Sequence, residues 1–424
     1  MRKAPLVPLA LLIIVVLAIG KPLYDKADQT RWERQCPQKA YLSLRLTETP
    51  CPRTKSLRAT AEVIAVDGHP CHGDITVYLR RDSTAATLRY GDRLLLHGFP
   101  DSAKRTVYST SDHYIVTSHD TQSLRSRIET LRMHLLHRMQ AGPLEPRYAG
   151  VAEAMTLGWR GDLDPSLQSA YRDSGIIHLL CVSGLHVGLL AAIVGSLLLA
   201  LGKERKGRIA RGCVQLTAIW CLALLTGFAP ATLRAALMFS MFIISSMLAR
   251  RTDSLNLLAA AAIIMLTAKP SLLFDTGWQL SFSAVTAILL ARPVIRCFHS
   301  RLLQGAAVST AATLGTLPVV VATFHRIPLY FIIANVVIVP LSSLLLLCSL
   351  CYLALPSYVF ACPLRLLLQV TDTVTAWVSS LPHAVVEGIH LPPIGLLLLS
   401  LAVLSILLSA SWITKKQEKA RLPK

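Results

Sequence analysis

The chain has 424 residues, of which 53 % are hydrophobic and 16 % charged, and its mean hydropathy is +0.50. Soluble domains average about 25 % charged residues, so these values exclude a disordered protein, a coiled coil and an ordinary cytosolic enzyme. The 43 Lys and Arg against 24 Asp and Glu give a net charge of +19. That excess fits either a nucleic-acid-binding surface or the basic cytoplasmic loops of a multi-pass membrane protein.

The first 20 residues predict a membrane anchor. An apolar stretch, 4–20, follows a basic start and is long enough for a spanning helix of about 20 residues. A secretory signal peptide is the alternative interpretation. The chain continues as KPLYDKAD after Gly20, with no small-residue cleavage site, which favours an anchor that is retained.

Residues 148–413 predict a domain with repeated membrane spans. Apolar segments predict spans near 176–201, 213–229, 231–249, 255–268, 271–291, 303–324 and 393–413. The stretch 327–355 is too long for one simple helix and contains Pro340, which is consistent with a span plus a broken or re-entrant piece. Segment 363–381 is amphipathic and ambiguous.

Basic residues orient these spans. They crowd alternate loops and the tail, at 203–211, 250–251, 292–301 and 414–424. The positive-inside rule places these segments and both termini in the cytoplasm, and an even number of spans is then required. We expect ten spans, the tenth coming from 327–355 or 363–381, with residues 21–147 outside the cell membrane.

Most of the charge excess reports this orientation. The predicted cytoplasmic segments hold 17 basic and three acidic residues, whereas 31–120 holds 13 basic and ten acidic residues. The net charge therefore says little about nucleic-acid binding. Segment 121–147, with five basic and two acidic residues, is the more basic part of the outer region.

Residues 21–120 predict a small β-barrel. Short runs of alternating apolar residues are separated by turn residues such as Asp67-Gly68 and Tyr90-Gly91-Asp92, a pattern typical of strands. The predicted strands are 41–46, 57–66, 73–80, 92–98 and 113–118.

The cysteines of the barrel segment are disulfide candidates, because disulfides persist outside the cytoplasm. Cys36 and Cys51 are the favoured pair since they close a short loop, although Cys71 leaves the pairing open. The stretch HPCHGD (69–74) holds four potential metal ligands, but one tight turn cannot aim them all at a single ion. We therefore expect neither a metal site nor a cofactor.

Residues 121–147 predict an amphipathic helix followed by a linker. Leucine and isoleucine recur at helical spacing over 121–140. Four arginines interleave with them: Arg125, Arg127, Arg132 and Arg138. The helix is expected to lie either on the outer membrane surface or against the barrel with a solvated basic face.

Polar residues interrupt the spans in four places, and such residues usually line a cavity or pair with each other. They are His178, Ser183, Gly184 and His186 in the first place, Arg234 in the second, Asp275, Gln279 and Ser281 in the third, and Asn335 in the fourth. His178 and His186 lie about 80° apart on one helix, and Gly184-x-x-x-Gly188 predicts helix packing.

Three ionisable residues are predicted at one depth. His178, Arg234 and Asp275 fall within about one turn of the outer ends of their spans, and Asp275 shares a helical face with Gln279. These residues form either a polar entrance to a cavity or an Arg234–Asp275 ion pair, and the two interpretations are compatible.

No enzyme is expected from the sequence. It contains no H-x-H-x-D-H hydrolase signature, phosphate-binding loop, H-E-x-x-H helix or G-x-S-x-G elbow. Any translocation must then draw its energy from a gradient or from a partner.

Four ordered blocks resemble the ComEC family of competence proteins. They are HLLCVSGLHVGLL (178–190), TGFAPATLRAALM (226–238), PSLLFDTGWQLSFSAVTAILL (270–290) and TLPVVVATFHRIPLYFIIANVVIVPL (316–341). The residues that match motif positions are His178, Ser183, Gly184, His186, Arg234, Asp275, Gln279, Ser281 and Asn335. Trp278 stands where the family usually has Phe. The outer strand region is similar to the family's extracytoplasmic OB-like domain.

The resemblance implies an inner-membrane channel that carries single-stranded DNA into the cytoplasm during natural transformation. Its implied partners are membrane lipids, a DNA receptor, a cytoplasmic motor and a separate nuclease. Many members carry a C-terminal metallo-β-lactamase-like domain, and we expect this chain to be a form without it. The arginines of 121–140 are candidate DNA contacts, and Tyr78, Tyr108 and Tyr114 are candidates for base stacking if exposed.

Two other functions remain open at this point. The same fold would suit a transporter or scaffold for another anionic polymer or lipid. A membrane enzyme would use His178, His186 and Asp275 as metal ligands or as acid and base groups.

Overall fold

A computed structural model of the chain describes segments 6–27, 31–35, 39–52, 56–82, 87–101, 105–119, 123–176, 180, 182–201, 204–249 and 253–421. The chain divides into two compact units. The smaller unit consists of Gly20–Ala141 with Trp159–Asp162. The larger consists of Met1–Ile19, Gly142–Gly158 and Leu163–Lys424.

Helices of nine or more residues account for most of the larger unit. In chain order they are α1 Leu6–Ala27, α2 Leu124–Gln140, α3 Pro146–Thr156, α4 Pro165–Asp173, α5 Gly184–Leu197, α6 Arg205–Leu225, α7 Pro230–Met247, α8 Ser254–Ala268, α9 Thr276–Arg296, α10 Arg301–Phe324, α11 Phe331–Ala354, α12 Tyr358–Ser380 and α13 Pro393–Arg421. Of these, α2 belongs to the smaller unit, and α1 extends across the boundary at residue 19.

The smaller unit contains a closed barrel. Its strands are β1 Ala40–Leu46, β2 Cys51–Pro52, β3 Ser56–Val66, β4 His69–Pro70, β5 Asp74–Arg80, β6 Arg93–Asp101 and β7 Thr106–Ser118. The five long strands pair in the order β1-β6-β7-β5-β3, and β3 pairs again with β1. The β5–β7 pair is parallel and the other pairs between the long strands are antiparallel.

Alternating apolar residues fill the barrel. On β1, the side chains of Leu42, Leu44 and Leu46 are fully buried, and on β6 those of Leu94 and Leu96 are. Their neighbours point outward, because successive side chains of a strand alternate between its faces. This is the pattern from which the sequence predicts strands, and all five predicted strands are present.

The strand boundaries differ from prediction in one informative place. β7 begins at Thr106, well before the predicted 113–118. Its opening sequence, TVYSTSD, is mostly polar and carries no clear alternation, so the sequence does not reveal it. The short strands β2 and β4 also lack a sequence signal.

Turn chemistry in the barrel agrees with the sequence. Asp67 and Gly68 have φ of 48° and 82°, the left-handed backbone that Asp and Gly tolerate best.

Cys71 lies in the barrel core, and burial raises the pKa of its thiol. The Cys36–Cys51 disulfide stays a prediction, because Cys36 lies outside the described residues.

Six helices are long and apolar enough to cross a membrane, counting only described residues. They are α6, α7, α9, α10, α11 and α13. Three shorter apolar helices lie at Leu6–Ala18, Gly184–Leu197 and Ser254–Ala268. The protein is therefore a multi-pass helical membrane protein with a barrel domain.

Pro340 does not break the long apolar stretch 327–355. α11 runs through it as one helix of 24 residues with the proline inside. A proline removes one backbone N–H from the hydrogen-bond ladder, and membrane helices tolerate this when neighbouring groups satisfy the freed carbonyl. The possible broken or re-entrant piece is therefore absent.

Glycines set how closely the membrane helices approach. In α10, a Cβ atom added to Gly315 would lie 2.9 Å from the backbone oxygen of Ser283 on α9. Backbone cannot move aside as a flexible side chain does. Gly305 of the same helix has nothing within 4 Å of the corresponding position.

We therefore expect Gly315→Ala to lower stability by about 1–3 kcal/mol through overpacking. Gly305→Ala is the matched control and should be neutral or slightly stabilising, because alanine favours a helix by about 1 kcal/mol over glycine. Thermal unfolding of the purified protein in detergent measures both. Equal midpoints for the two variants would contradict the close α9–α10 approach.

Candidate functional site

The first motif block begins a helix rather than lying inside one. α5 starts at Gly184, and Ser183 is its N-cap residue with extended backbone. The N–H of Ser183 donates to Nδ1 of His186 at 3.2 Å. Nδ1 is the acceptor of this bond, and the imidazole is fully buried.

The span predicted at 176–201 is corrected accordingly. His178 lies outside the described residues, and the angle of about 80° between His178 and His186 does not apply because the helix starts at Gly184. Ser183 interrupts the apolar run and is a residue type preferred at a helix N-cap. In the structure the helix begins directly after it, and the N–H of Ser183 is bonded to His186.

α5 packs against α7 through small residues. A Cβ atom added to Gly184 would lie 3.9 Å from Cβ of Ala235, and one added to Gly188 would clash with the ring of Phe239. The packing face predicted from Gly184-x-x-x-Gly188 is therefore the face that contacts α7. The first two motif blocks meet here.

The turn before α7 is tight, and Thr226 at its start is buried. Gly227 and Phe228 have φ of 64° and 56°, two consecutive left-handed residues. A Cβ atom on Gly158 would lie 3.2 Å from the carbonyl oxygen of Thr226, so the turn packs directly on the chain that follows α3. Pro230 is the first residue of α7, where its missing N–H leaves no bond unmade.

Arg234 is buried one turn inside α7. Its side chain is 6 % exposed, and Nη1 lies 3.7 Å from Oδ1 of Asp275, whose side chain is 46 % exposed. The same Oδ1 caps α9 by accepting a hydrogen bond from the N–H of Trp278 at 2.7 Å. One carboxylate thus faces a buried cation and a helix N-terminus, with an open side.

Gly277 permits this arrangement. A Cβ atom at Gly277 would lie 3.2 Å from Nη2 of Arg234. The guanidinium therefore rests against the first turn of α9, where a larger residue would push it away.

Three helices begin at this place. α5 starts at Gly184 beside Ala235, α7 starts one turn before Arg234, and α9 starts at Thr276 beside the guanidinium. Each helix N-terminus carries about half a positive charge. Together with Arg234 they make an electropositive spot that Asp275 balances only in part.

Gln279 ties the start of α9 to the segment directly before it. The side-chain amide of Gln279 donates to the carbonyl of Leu273 at 2.9 Å. Asp275 precedes α9 as its cap, and the backbone N–H of Gln279 donates to the carbonyl of Asp275 at 3.0 Å, so the two residues lie one helical turn apart. Their shared helical face stays a prediction. Ser281 is half-buried on α9.

Asn335 makes a separate contact. It is buried in α11, and its Nδ2 donates to Oγ of Ser309 on α10 at 2.8 Å. The structure thus brings Arg234 and Asp275 together beside the start of α5, whereas Asn335 joins α10 to α11.

The family model described as "Competence protein" matches residues 155–416, more than half of the chain and all four motif blocks. The chain belongs to the competence protein family. Its resemblance to ComEC proteins is thereby confirmed.

Three relatives are similar to the chain over about half of its length. ComE operon protein 3 of Bacillus subtilis (strain 168) is 31 % identical over 232 residues, 54 % of this chain and 29 % of that protein. Competence protein ComA of Neisseria gonorrhoeae is 29 % identical over 199 residues, 45 % of this chain and 28 % of that protein. The uncharacterized protein YcaI of Escherichia coli (strain K12) is 25 % identical over 256 residues, 55 % of this chain and 33 % of that protein. The match spans a third or less of each relative, and no solved structure matches the chain significantly.

The four arginines of α2 differ in their surroundings in this competence-family protein. Arg132 pairs with the buried carboxylate of Glu129 at 3.2 Å, and Arg125 lies over the ring of Tyr90 at 4.4 Å. Arg127 and Arg138 are exposed. The apolar residues of α2 are divided: Ile128, Leu136 and Met139 are buried together with Glu129, whereas Leu124 and Leu131 are exposed.

Sequence reasoning missed a second polar cluster of this family member. Asp372 on α12 lies 3.2 Å from Nη2 of Arg147 and accepts a hydrogen bond from the hydroxyl of the buried Tyr171 at 3.2 Å. These three residues lie on different helices and two of them are 201 residues apart, so no local spacing could reveal their contact. The amphipathic pattern of 363–381 was the available signal.

The Arg234–Asp275 contact can be tested with a double-mutant cycle. Arg234→Gln and Asp275→Asn remove one charge each, and asparagine still caps a helix. We expect the free energy of unfolding of the double variant to fall by about 1 kcal/mol less than the sum of the two single decreases. The reason is that each single change leaves a charge without its counterpart.

The control cycle uses Arg365 and Glu145, an ion pair at 2.9 Å whose side chains are half-exposed. Exposed pairs contribute about 0–1 kcal/mol. A coupling between Arg234 and Asp275 no larger than this control would show that the buried contact has no special weight.

Proposed function

We propose that the protein is an inner-membrane channel through which single-stranded DNA enters the cytoplasm during natural transformation. The observation that carries the proposal is the meeting of three helix N-termini around the buried Arg234. A polymer with one negative charge per nucleotide needs fixed positive charge along its path through lipid, and oriented helix ends and a guanidinium supply it. The names of two relatives, which refer to competence, support the same role.

The half-exposed carboxylate of Asp275 would by itself repel a phosphate. Because Asp275 caps α9 as well as facing Arg234, its charge is shared between two positive groups. The site therefore retains a net attraction for an anion at the outer end of the spans.

We further propose that the barrel is OB-like and extracytoplasmic. Its five long strands, taken in chain order as first to fifth, are arranged 1-2-3-5-4 with the third and fifth parallel, and this supports an OB-like assignment. Ten spans with both termini in the cytoplasm follow from the basic loops. A DNA receptor, a cytoplasmic motor and a separate nuclease are proposed partners, and Arg127 and Arg138 are proposed DNA contacts.

A transporter or scaffold for another anionic polymer or lipid is the second candidate. The site around Arg234 favours negative charge without any group that reads a base, so its geometry alone suits either cargo. An enzyme receives no such support: among the described residues, no three His, Cys, Asp or Glu side chains are grouped to hold a metal ion.

Deletion and complementation in a transformable host test the proposal. The deletion strain should still bind DNA at its surface but fail to bring it into the cytoplasm. Arg234→Gln should fail to restore uptake while being present in the membrane at the wild-type level. Arg301→Gln, which changes an exposed arginine at the first position of α10, should restore it. Normal transformation of the deletion strain would contradict the channel and favour the second candidate.

A further inference from the structure

The first turns of α6 carry a row of like charges. Arg205, Arg208 and Arg211 are three residues apart in sequence, and residues at this spacing are neighbours on the surface of a helix. Lys206 is exposed beside them, as is Glu204, the one carboxylate of this stretch. We call the three arginines and Lys206 the basic cluster. Its positive charge is balanced only in small part by Glu204.

The basic cluster lies where a membrane meets water. α6 is one of the six helices that are long and apolar enough to cross a membrane. The cluster occupies its first two turns and extends about 9 Å along the helix axis, at 1.5 Å per residue. A spanning helix that begins in this way places its cations among the lipid headgroups.

α5 and α7 hold α6 in place near its start. Nε of Arg208 donates to the carbonyl of Met247, the last residue of α7, at 3.2 Å. A Cβ atom added to Gly212 would clash with the side chain of Met247, so the two helices approach closely here. On α5, the carbonyl of Ala191 accepts a hydrogen bond from Nε2 of Gln215 at 2.7 Å. The basic cluster is therefore fixed by helix packing.

The cations of the cluster lack an anionic partner. Like charges that are neighbours on a helix destabilise it, yet among the described residues none of the four forms an ion pair with a carboxylate. Nη1 of Arg211 is shielded from solvent and donates to no described residue. A guanidinium that has lost water on one side gains from an anion on its open side, because charge-assisted hydrogen bonds are about twice as strong as neutral ones.

Exposed apolar side chains accompany the cluster along the chain. Leu197 ends α5 just before it, and Ile209 lies within it. Leu248 follows the residue whose carbonyl Arg208 binds. Leu197 is 76 % exposed and Leu248 is 63 % exposed. Fixed cations beside apolar side chains match a ligand that has both an anionic headgroup and acyl chains, and neither nucleic acid nor inorganic phosphate has acyl chains.

We propose that the basic cluster binds the headgroup of an anionic phospholipid and prefers cardiolipin. Cardiolipin carries two phosphates joined by a glycerol, which can bridge a row of three guanidiniums, whereas a single phosphate cannot. Basic sites between membrane helices bind headgroups of this kind. The cluster lies beside the last residue of α7 and Arg234 lies near its first. The lipid site is therefore separate from the site around Arg234 and does not depend on the function proposed above.

Native mass spectrometry of the full-length protein in detergent, titrated with cardiolipin, tests the site. The wild type should retain a single cardiolipin and bind it more tightly than phosphatidylglycerol. The double variant Arg205→Gln with Arg211→Gln should bind cardiolipin about 30-fold more weakly, since each cation near a lipid surface contributes about fivefold. Arg208 stays unchanged because it also holds α7. Arg205→Lys with Arg211→Lys, which keeps both charges, should keep most of the affinity.

Arg292→Gln with Arg296→Gln is the matched control. It removes two exposed arginines from the end of α9 and so changes the net charge by the same amount. This control should bind cardiolipin as the wild type does. Thermal midpoints without lipid check that each variant is folded. Added cardiolipin should raise the midpoint of the wild type and of the control, because a ligand that binds the folded state stabilises it.

Four results would overturn the site. Arg205→Gln with Arg211→Gln could bind cardiolipin as tightly as the wild type. The control could lose as much affinity as that variant, which would indicate a response to net charge alone. Inorganic pyrophosphate could displace the lipid at equal concentration, which would assign the cluster to a soluble phosphate compound. Loss of oligothymidylate binding in the Arg205→Gln, Arg211→Gln variant, with cardiolipin binding unchanged, would assign the cluster to nucleic acid.

Discussion

The buried guanidinium of Arg234 is the constraint on which the membrane region depends. A charge removed from water is costly unless it is paired, and here Asp275 lies at 3.7 Å. The pairing requires α9 to begin beside the first turn of α7, and it requires a glycine at position 277 so that the guanidinium can reach that turn. The same carboxylate also caps α9. Helix start, ion pair and close packing are therefore one arrangement, and a change to any of them disturbs the others.

Small residues extend this arrangement through the bundle. In lipid there is no hydrophobic driving force for helices to associate, so close packing and polar contacts must hold them together. Gly184 and Gly188 bring α5 onto α7, Gly315 brings α10 onto α9, and the amide of Asn335 joins α11 to α10. Residues of the motif blocks thus lie at contacts between helices, α5 with α7, α7 with α9 and α10 with α11. The electropositive spot at Arg234 is a consequence of how these helices must pack.

The sequence predicts the barrel and the apolar helices well because both depend on burial patterns. Leu42, Leu44 and Leu46 alternate so regularly that the strand and its inward face are evident. The meeting of Arg234 with Asp275 also follows from the sequence, since two opposite charges at one depth in lipid have few other partners. These features can be predicted from local residue spacing and from the side of the membrane on which each residue lies.

What the sequence does not predict depends on single hydrogen bonds and on distant contacts. Ser183 is visible in the sequence as an interruption, but its bond to His186 is not. The stacking of Tyr78 on Tyr108 depends on the register between β5 and β7, and the opening of β7 at Thr106 carries too little alternation to predict it. Asp372 and Tyr171 are 201 residues apart, and nothing local links them.

Capture of DNA in transit would show whether DNA passes Arg234. A photoreactive residue in place of Gln279, one helical turn after Asp275 at the start of α9, would be activated while a transformable strain takes up labelled DNA. We expect a covalent adduct with DNA at this position and none at Phe242, an exposed residue of α7. Adducts of equal yield at both positions, or none at Gln279 while uptake proceeds, would contradict a DNA path through this site.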